Sequence, residues 1–246
     1  MLTVSNVILL LLGTTVNSWR TIEDVVPLNH GSMVHPAVIC DAGSTGTRVF
    51  AFHVPISPDA DPQPVIDLIG RTNRGLSEFA VVGDFRGASE SVIPLLMKSI
   101  TRLGPDVPIY LFATGGVRSL EETVKSTLWS TIAADIPAAI GSIHRGTFEL
   151  RTVEGIDEAL YGLISSNFLL SDLPLSNLGN VISQPVGVLD LGGSSLEVSL
   201  VGRDNIVGSH DDVLRTYKSL GLSQFRERVR VKDVLRSCEF GNVRFM

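Results

Sequence analysis

Cysteine is scarce: Cys40 and Cys238 are the only two in 246 residues. Two thiols cannot staple a fold, so the chain is no disulfide scaffold, and its cysteines do not decide a redox compartment. Cys40 lies within an apolar run, as a small buried hydrophobe does. Basic charge is also short. Against 26 Asp and Glu stand 20 Lys and Arg, a net charge of −6, and nothing supplies the broad basic face that nucleic acid requires as a partner. Away from the N-terminus no stretch approaches the ~18 apolar residues of a membrane span. The sequence holds no Asn-x-Ser/Thr glycosylation acceptor and no Gly-x-x-x-x-Gly-Lys phosphate loop. The remaining composition, 44% apolar and 19% charged, is that of a globular protein. The length suits one large domain or two ordinary ones.

The N-terminus reads MLTVSNVILLLLGTTVNS. Its apolar core, Val7 to Leu12, has the length of a secretory signal's hydrophobic region and is too short for a spanning helix. Residues 1–18 are therefore expected to be a signal peptide or anchor. That places the chain in the secretory pathway, secreted or membrane-anchored, with this segment as its means of membrane association. A buried strand or helix start is the alternative.

Two stretches share one grammar. Val38 to Phe52, VICDAGSTGTRVFAF, runs apolar into Asp41, turns through Gly43, Ser44, Thr45 and Gly46, and returns apolar. Such a pattern predicts a β-hairpin with a glycine-rich tip. Successive backbone N–H groups in such a turn can form a concavity for phosphate oxygens, and the hydroxyls of Ser44, Thr45 and Thr47 add donors. Asp41, at the strand end, is placed to hold a cation or its water shell. Gly187 to Val201, GVLDLGGSSLEVSLV, repeats the scheme with Asp190, Gly192, Gly193, Ser194 and Ser195. Two such units imply two half-sites gripping one phosphate chain from opposite sides.

Between and around them, residues 19–36 read as a loose lead-in. Pro55, Pro58, Pro62 and Pro64 mark a connection ahead of a strand over Val65–Ile69. Residues 71–80 read as an exposed loop. Helical spacing of Val92, Leu95, Leu96 and Ile100 predicts a helix over Gly87–Arg102, with Pro94 in its first turns. Pro108–Ala113 is an apolar strand leading into Thr114, which is thereby expected at the C-terminal edge of a parallel sheet, where open α/β sheets bind ligands. Ser119 and Glu122 have capping-box spacing for a helix carrying Leu120, Val124, Leu128 and Ile132. A strand over Phe148–Val153 precedes a helix over Gly155–Leu170 with Ile156, Leu160, Leu163, Ile164 and Phe168 as its apolar face. Glu154, Asp157 and Glu158 suit the dipole of that helix start, and a carboxylate presented there could also orient a water as general base. Residues 171–185 form a polar, Pro-bounded domain boundary. After the second hairpin come a strand over Val213–Tyr217 and a charged amphipathic helix from about Leu222.

Four of these segments, in order, resemble the motifs of the apyrase or ectonucleoside triphosphate diphosphohydrolase family, the GDA1/CD39 nucleoside phosphatases: DAGSTGTR (41–48), ATGGVR (113–118), DEALYGLISSNFLL (157–170) and LDLGGSSLEVSL (189–200). RGLSEFA and TYKSLGLSQFRER are similar to the family as well. The resemblance implies an α/β fold: an actin-like ATPase (RNase H-like) domain with a mixed sheet over residues 36–185, then an incomplete second RNase H-like domain over 186–246. The implied substrate is a nucleoside di- or triphosphate, bound between the domains. Ser44, Thr45, Gly46, Thr47 and Arg48 would lie on one side of its phosphates, with Gly192, Gly193, Ser194 and Ser195 on the other. Asp41 and Asp190 would hold Ca²⁺ or Mg²⁺ through water, with Thr114 nearby. Glu158 takes the position of the catalytic base, and Ser195 and Glu197 those of groups that place the attacking water.

Ala159 and Leu163 stand where the family has Gly and Trp, and Glu197 stands where it has Gln. The family is also much longer, so on this reading the chain lacks a fifth motif and the base-binding residues. Two alternatives follow. Glu158-Ala159 and Ser195-Leu196-Glu197 lean toward the exopolyphosphatase/guanosine pentaphosphatase pattern, although the leader, SSNFLL and LGLSQFRER favour the apyrase. The other alternative is an inactive, truncated phosphate-binding fragment.

Overall fold

Alternation along one strand sets the architecture. In β1 (Met33–Gly43), Val38, Cys40 and Ala42 pack into one apolar cluster while Ala37 and Ile39 pack into another. Side chains of period two reach opposite faces, so a strand apolar on both must be covered on both. The computed structural model describes residues 33–56, 65–170 and 184–222, apart from Gly208, Asp211 and Ser219. The leader, the middle of the Pro-rich connection, nearly all of the expected boundary and the expected C-terminal helix lie outside the described residues.

β1 pairs antiparallel with β2 (Gly46–Ile56), and β2 with β3 (Val65–Arg71). On its other side β1 runs parallel to β4 (Ile109–Ala113), and β4 parallel to β5 (Phe148–Thr152). The resulting mixed sheet has the order β3-β2-β1-β4-β5. One face is covered by α1 (Leu76–Val81), α2 (Phe85–Leu103) and α4 (Glu122–Ile140), with Leu76, Val92, Leu96, Leu128, Ile132 and Ile136 in the core. Each such side chain contributes about 1.5–3 kcal/mol by burial. Phe52, Tyr110, Phe112 and Phe168 line the other face.

A second, antiparallel sheet follows: β6 (Val188–Leu191), β7 (Ser195–Leu200) and β8 (Val213–Lys218), in that order. It repeats the β1-β2-β3 meander of the first. Helix α5 (Gly155–Leu170) lies between the sheets, sending Phe168 to the first and Leu163 to a cluster with Val188, Val207 and Leu214. Asn167 fastens it to the chain ahead of β6, accepting from Val186 N at 2.8 Å and donating to Val186 O at 2.9 Å.

Four expectations need correction. Residues 76–81 form a helix, because Leu76 and Ala80 share a buried face and Glu78 accepts from Gly75 N at 3.2 Å. Pro94 falls in the middle of α2, since that helix starts at Phe85, with Asp84 accepting from Gly87 N at 3.0 Å; its exposed position leaves the freed carbonyl to water. Ser119 caps no helix: its hydroxyl donates back to Gly115 O at 2.7 Å, ending a four-residue helix, α3 (Gly115–Arg118). Ile156 is exposed, whereas Ala159, Ser165 and Asn167 are buried, because α5 is covered from more than one side.

Candidate active site between the two glycine turns

The C-terminal ends of β1 and β4 lie side by side, and the chain continues differently from each. From β1 it turns through Ser44 and Thr45 into β2, with Gly43 opposite Gly46. Gly46 has φ of 156°, and Thr72 O lies only 2.4 Å from where its Cβ would be, so only glycine fits. From β4 the chain passes through Thr114, 6% exposed, into α3. Packing at α3 requires glycine too: Ser195 Oγ sits 2.9 Å from a Cβ placed on Gly115, and Ser44 Cα 2.8 Å from one on Gly116. Ser44 Oγ also occupies the space a Cβ on Gly193 would need. The two glycine turns, Thr114 and the start of α3 therefore meet at one place.

The side chains of the first turn are disposed unevenly. Ser44 is partly buried and Thr45 exposed, whereas Thr47 is wholly buried, its hydroxyl unpartnered and its amide donated to Thr72 Oγ1 at 2.7 Å. Arg48 Nη1 lies 3.4 Å from Asp41 Oδ2, as the cross-strand neighbour of Asp41. In the second turn Gly192, Gly193 and Ser194 are half-buried and Ser195 is buried. Ser195, Glu197 and Ser199 are as buried as Leu196 and Val198, so the polar face of β7 points into the protein.

At the centre is Arg118, which sequence reasoning quoted within a motif and gave no role. It is 8% exposed. Its Nη1 donates to Glu158 Oε2 at 2.8 Å and to Val153 O at 2.9 Å; its Nη2 donates to Ser195 Oγ at 3.0 Å and Glu197 Oε1 at 3.1 Å. Thr216 Oγ1 donates to the same Glu197 oxygen at 3.1 Å. The available signal was an Arg closing a short helix at a parallel-sheet edge. A buried guanidinium must find acceptors, and its planar fork serves several at once.

Glu158, Asp190 and Glu197 bring one carboxylate oxygen each within 4.8 Å of one another. All three are harder to ionise than usual. Burial is the main cause at each, and Glu158 is pushed up to about 8, with repulsion from Glu197 adding and Arg118 opposing. Asp190 is pushed up to about 6 by burial, then by Glu197 and Asp41. Burial also raises Asp41 against the pull of Arg48, and raises Glu197 against Ser195, Arg118 and Thr216. Hence Asp41 lies close enough to Asp190 to be felt by it. An all-oxygen donor set of this kind suits a hard divalent cation.

Residues 29–218 match the GDA1/CD39 (nucleoside phosphatase) family. The chain belongs to that family. Its nucleoside-diphosphatase relative mig-23 of Caenorhabditis briggsae is 30% identical over 187 residues, covering 68% of this chain and 33% of that protein. Apyrase 1 of Arabidopsis thaliana is 31% identical over 175 residues, covering 66% of this chain and 34% of that protein. The chain thus spans about a third of the length of these curated relatives. Among solved structures, a nucleoside triphosphate hydrolase of Neospora caninum superposes with a TM-score of 0.52 at 17% identity, over 78% of this chain and 46% of that one. The fold is accordingly the actin-like ATPase fold that the motifs implied. Family members depend on a divalent metal, and the acidic group described above fits one.

Proposed function

We propose that this chain carries the phosphate-cleaving centre of an apyrase-like enzyme, which hydrolyses the terminal phosphate of nucleoside tri- or diphosphates. One observation carries the reading: carboxyl groups from β1, β6, β7 and α5 converge where the two glycine turns meet. Had Asp41, Asp190 and Glu158 stood on separate faces, no such chemistry would be available.

Phosphoryl transfer to water needs an in-line nucleophile and neutralisation of spreading charge, with little covalent work. Glu158 is the general base. Arg118 holds its Oε2, and Oε1, which makes no hydrogen bond among the described residues, is the atom that accepts a proton from the attacking water. Ser195 and Glu197, tied to the same guanidinium, place that water. Turn amides at Ser44, Thr45, Gly46 and Gly192, Gly193, Ser194 bind phosphate oxygens, with Arg48 at the rim. Asp41 and Asp190, with Thr114 beside them, would hold Ca²⁺ or Mg²⁺, and the ion would supply charge neutralisation at the phosphates. Each well-aimed donor in such a site is worth a few kcal/mol. Residues 1–18 support a secretory-pathway location, with that segment as a signal or anchor.

Glu197 favours a second substrate class, since an acid in place of Gln is shared with the exopolyphosphatase pattern. Phosphate release from ATP, ADP, UDP and polyphosphate, each with and without Ca²⁺ or Mg²⁺, tests both. The expected result is metal-dependent release from nucleotides, with Glu158→Gln slower by about 10²–10⁴-fold. Release from polyphosphate alone would replace nucleotides as the substrate, and silence on every substrate would sink the enzyme reading for this chain.

A further inference from the structure

In the β6–β7 hairpin, Asp190 and Glu197 are directly opposite each other, on one face of the sheet. Two acids so placed repel, and Glu197 is only 2% exposed. Its Oε1 is satisfied by Arg118 and Thr216, but its Oε2 is buried without a hydrogen-bond partner. Leaving a carboxylate oxygen in that state costs the desolvation of a charged group. Asp190 has no side-chain hydrogen bond or ion pair among the described residues. Arg118 is one cation serving two acids, Glu158 and Glu197. The positive charge that this cluster needs is therefore incompletely supplied by the protein.

We propose that Asp190 and Glu197 bind a hard divalent cation directly through their carboxylate oxygens, with Glu158 left beside the ion as the base. The inference rests on the hydrolase reading for its use and departs from it on the ligands. Asp41, tied to Arg48 in its own hairpin, is outside the inner set, and Glu197 is the residue that creates it. The oxygens of Asp190 and Glu197 lie within 4.8 Å of each other, so both can reach an ion at about 2.4 Å, the Ca²⁺ range, and a small inward shift serves Mg²⁺ or Mn²⁺. An amide at 197 would offer the cation a neutral oxygen and remove the unpaired charge.

Mn²⁺ titration of the nucleotide-free chain, followed by loss of the free-ion electron paramagnetic resonance signal, tests the proposal without reference to turnover. Wild type is expected to bind one Mn²⁺ that Ca²⁺ or Mg²⁺ displaces. Glu197→Gln and Asp190→Asn should each weaken it at least about tenfold, and Asp41→Asn should change it by less than about threefold. Asp106→Asn, at an exposed ion pair with Arg145, is the surface control and should leave binding unchanged. Circular dichroism verifies that each variant is folded, and having two isosteric variants prevents one misfolded protein from deciding the matter. Absence of binding to wild type overturns the site, as does equal affinity in folded Glu197→Gln or a tenfold loss in Asp41→Asn. The two readings fail separately. Carboxylate-dependent Mn²⁺ binding without phosphate release leaves the site and removes the enzyme, whereas nucleotide hydrolysis with undiminished Mn²⁺ affinity in Glu197→Gln does the reverse.

Discussion

The two glycine-turn hairpins share a frame and differ in charge. In each, an Asp at the end of the first strand faces the residue seven positions later: Arg48 opposite Asp41, Glu197 opposite Asp190. The first pair is of opposite sign and opens to solvent at Arg48, whose side chain is 50% exposed against 16% for Asp41. The second is of like sign, with Glu197 buried and Asp190 half-buried. A hairpin with its own counter-charge can stand at a surface unaided. The second cannot, and what balances it comes from a distant part of the chain: Arg118, at the end of α3. The same backbone motif is thus self-contained in one copy and dependent in the other, and the dependence assembles the site.

The sharpest way to break that comparison is to remove the borrowed charge. Arg118→Ala leaves Glu158 and Glu197 buried without their shared cation, so a loss of about 3–5 kcal/mol is expected in urea unfolding at pH 7. Arg118→Lys keeps a charge but not the fork that reaches four acceptors, and should recover only part of the loss. A loss below about 1 kcal/mol in Arg118→Ala would mean that the acids are solvated without it.

Proton binding provides a smaller handle. Glu158 titrates at about 8 in the folded chain against 4.5 for the free side chain, and Asp190 at about 6 against 3.8. Between the unfolded and folded values, the folded chain binds more protons, so its stability falls as pH rises. Without divalent ions, stability should decline by on the order of 3 kcal/mol from pH 5 to pH 8, and Glu158→Gln should flatten most of that slope. Hydrolysis should run the other way, increasing through pH 8 as Glu158 ionises. A wild-type stability curve that is level over this window would contradict the raised acidities.

Much of this was legible in the sequence for physical reasons. Both hairpins, the Ile109–Ala113 strand and α5 carry their period in the residues themselves, and glycine at 46 marks a turn that no other residue could make. Leu76–Val81 was missed because six residues are too few for a period to rise above the polar residues around them. Arg118 and Thr216 were missed for a different reason. Their significance lies in acceptors 35 to 79 residues away, or 19 for Thr216, and no local pattern encodes which buried acid a guanidinium or hydroxyl will meet. Conversely Thr47, a hydroxyl in a glycine-rich motif, is buried beneath the turn, because the strand's alternation turns it inward.

The smallest effects come from neutralising the cross-strand partner in each hairpin, and here the comparison predicts a difference in sign. Arg48→Ala removes an attraction that water largely screens, so the chain should lose less than about 1 kcal/mol. Glu197→Gln removes a buried repulsion while its Oε1 can still accept from Arg118, so the metal-free chain should gain about 1 kcal/mol. Divalent ions should reverse the second result alone, stabilising wild type and not Glu197→Gln, because only the second hairpin leaves room for a cation as its counter-charge. Chemical denaturation of the two variants, with chelator and with Mn²⁺, measures all four quantities. If both substitutions shifted stability in the same direction under both conditions, the difference between the hairpins would be one of sequence only, with no electrostatic consequence.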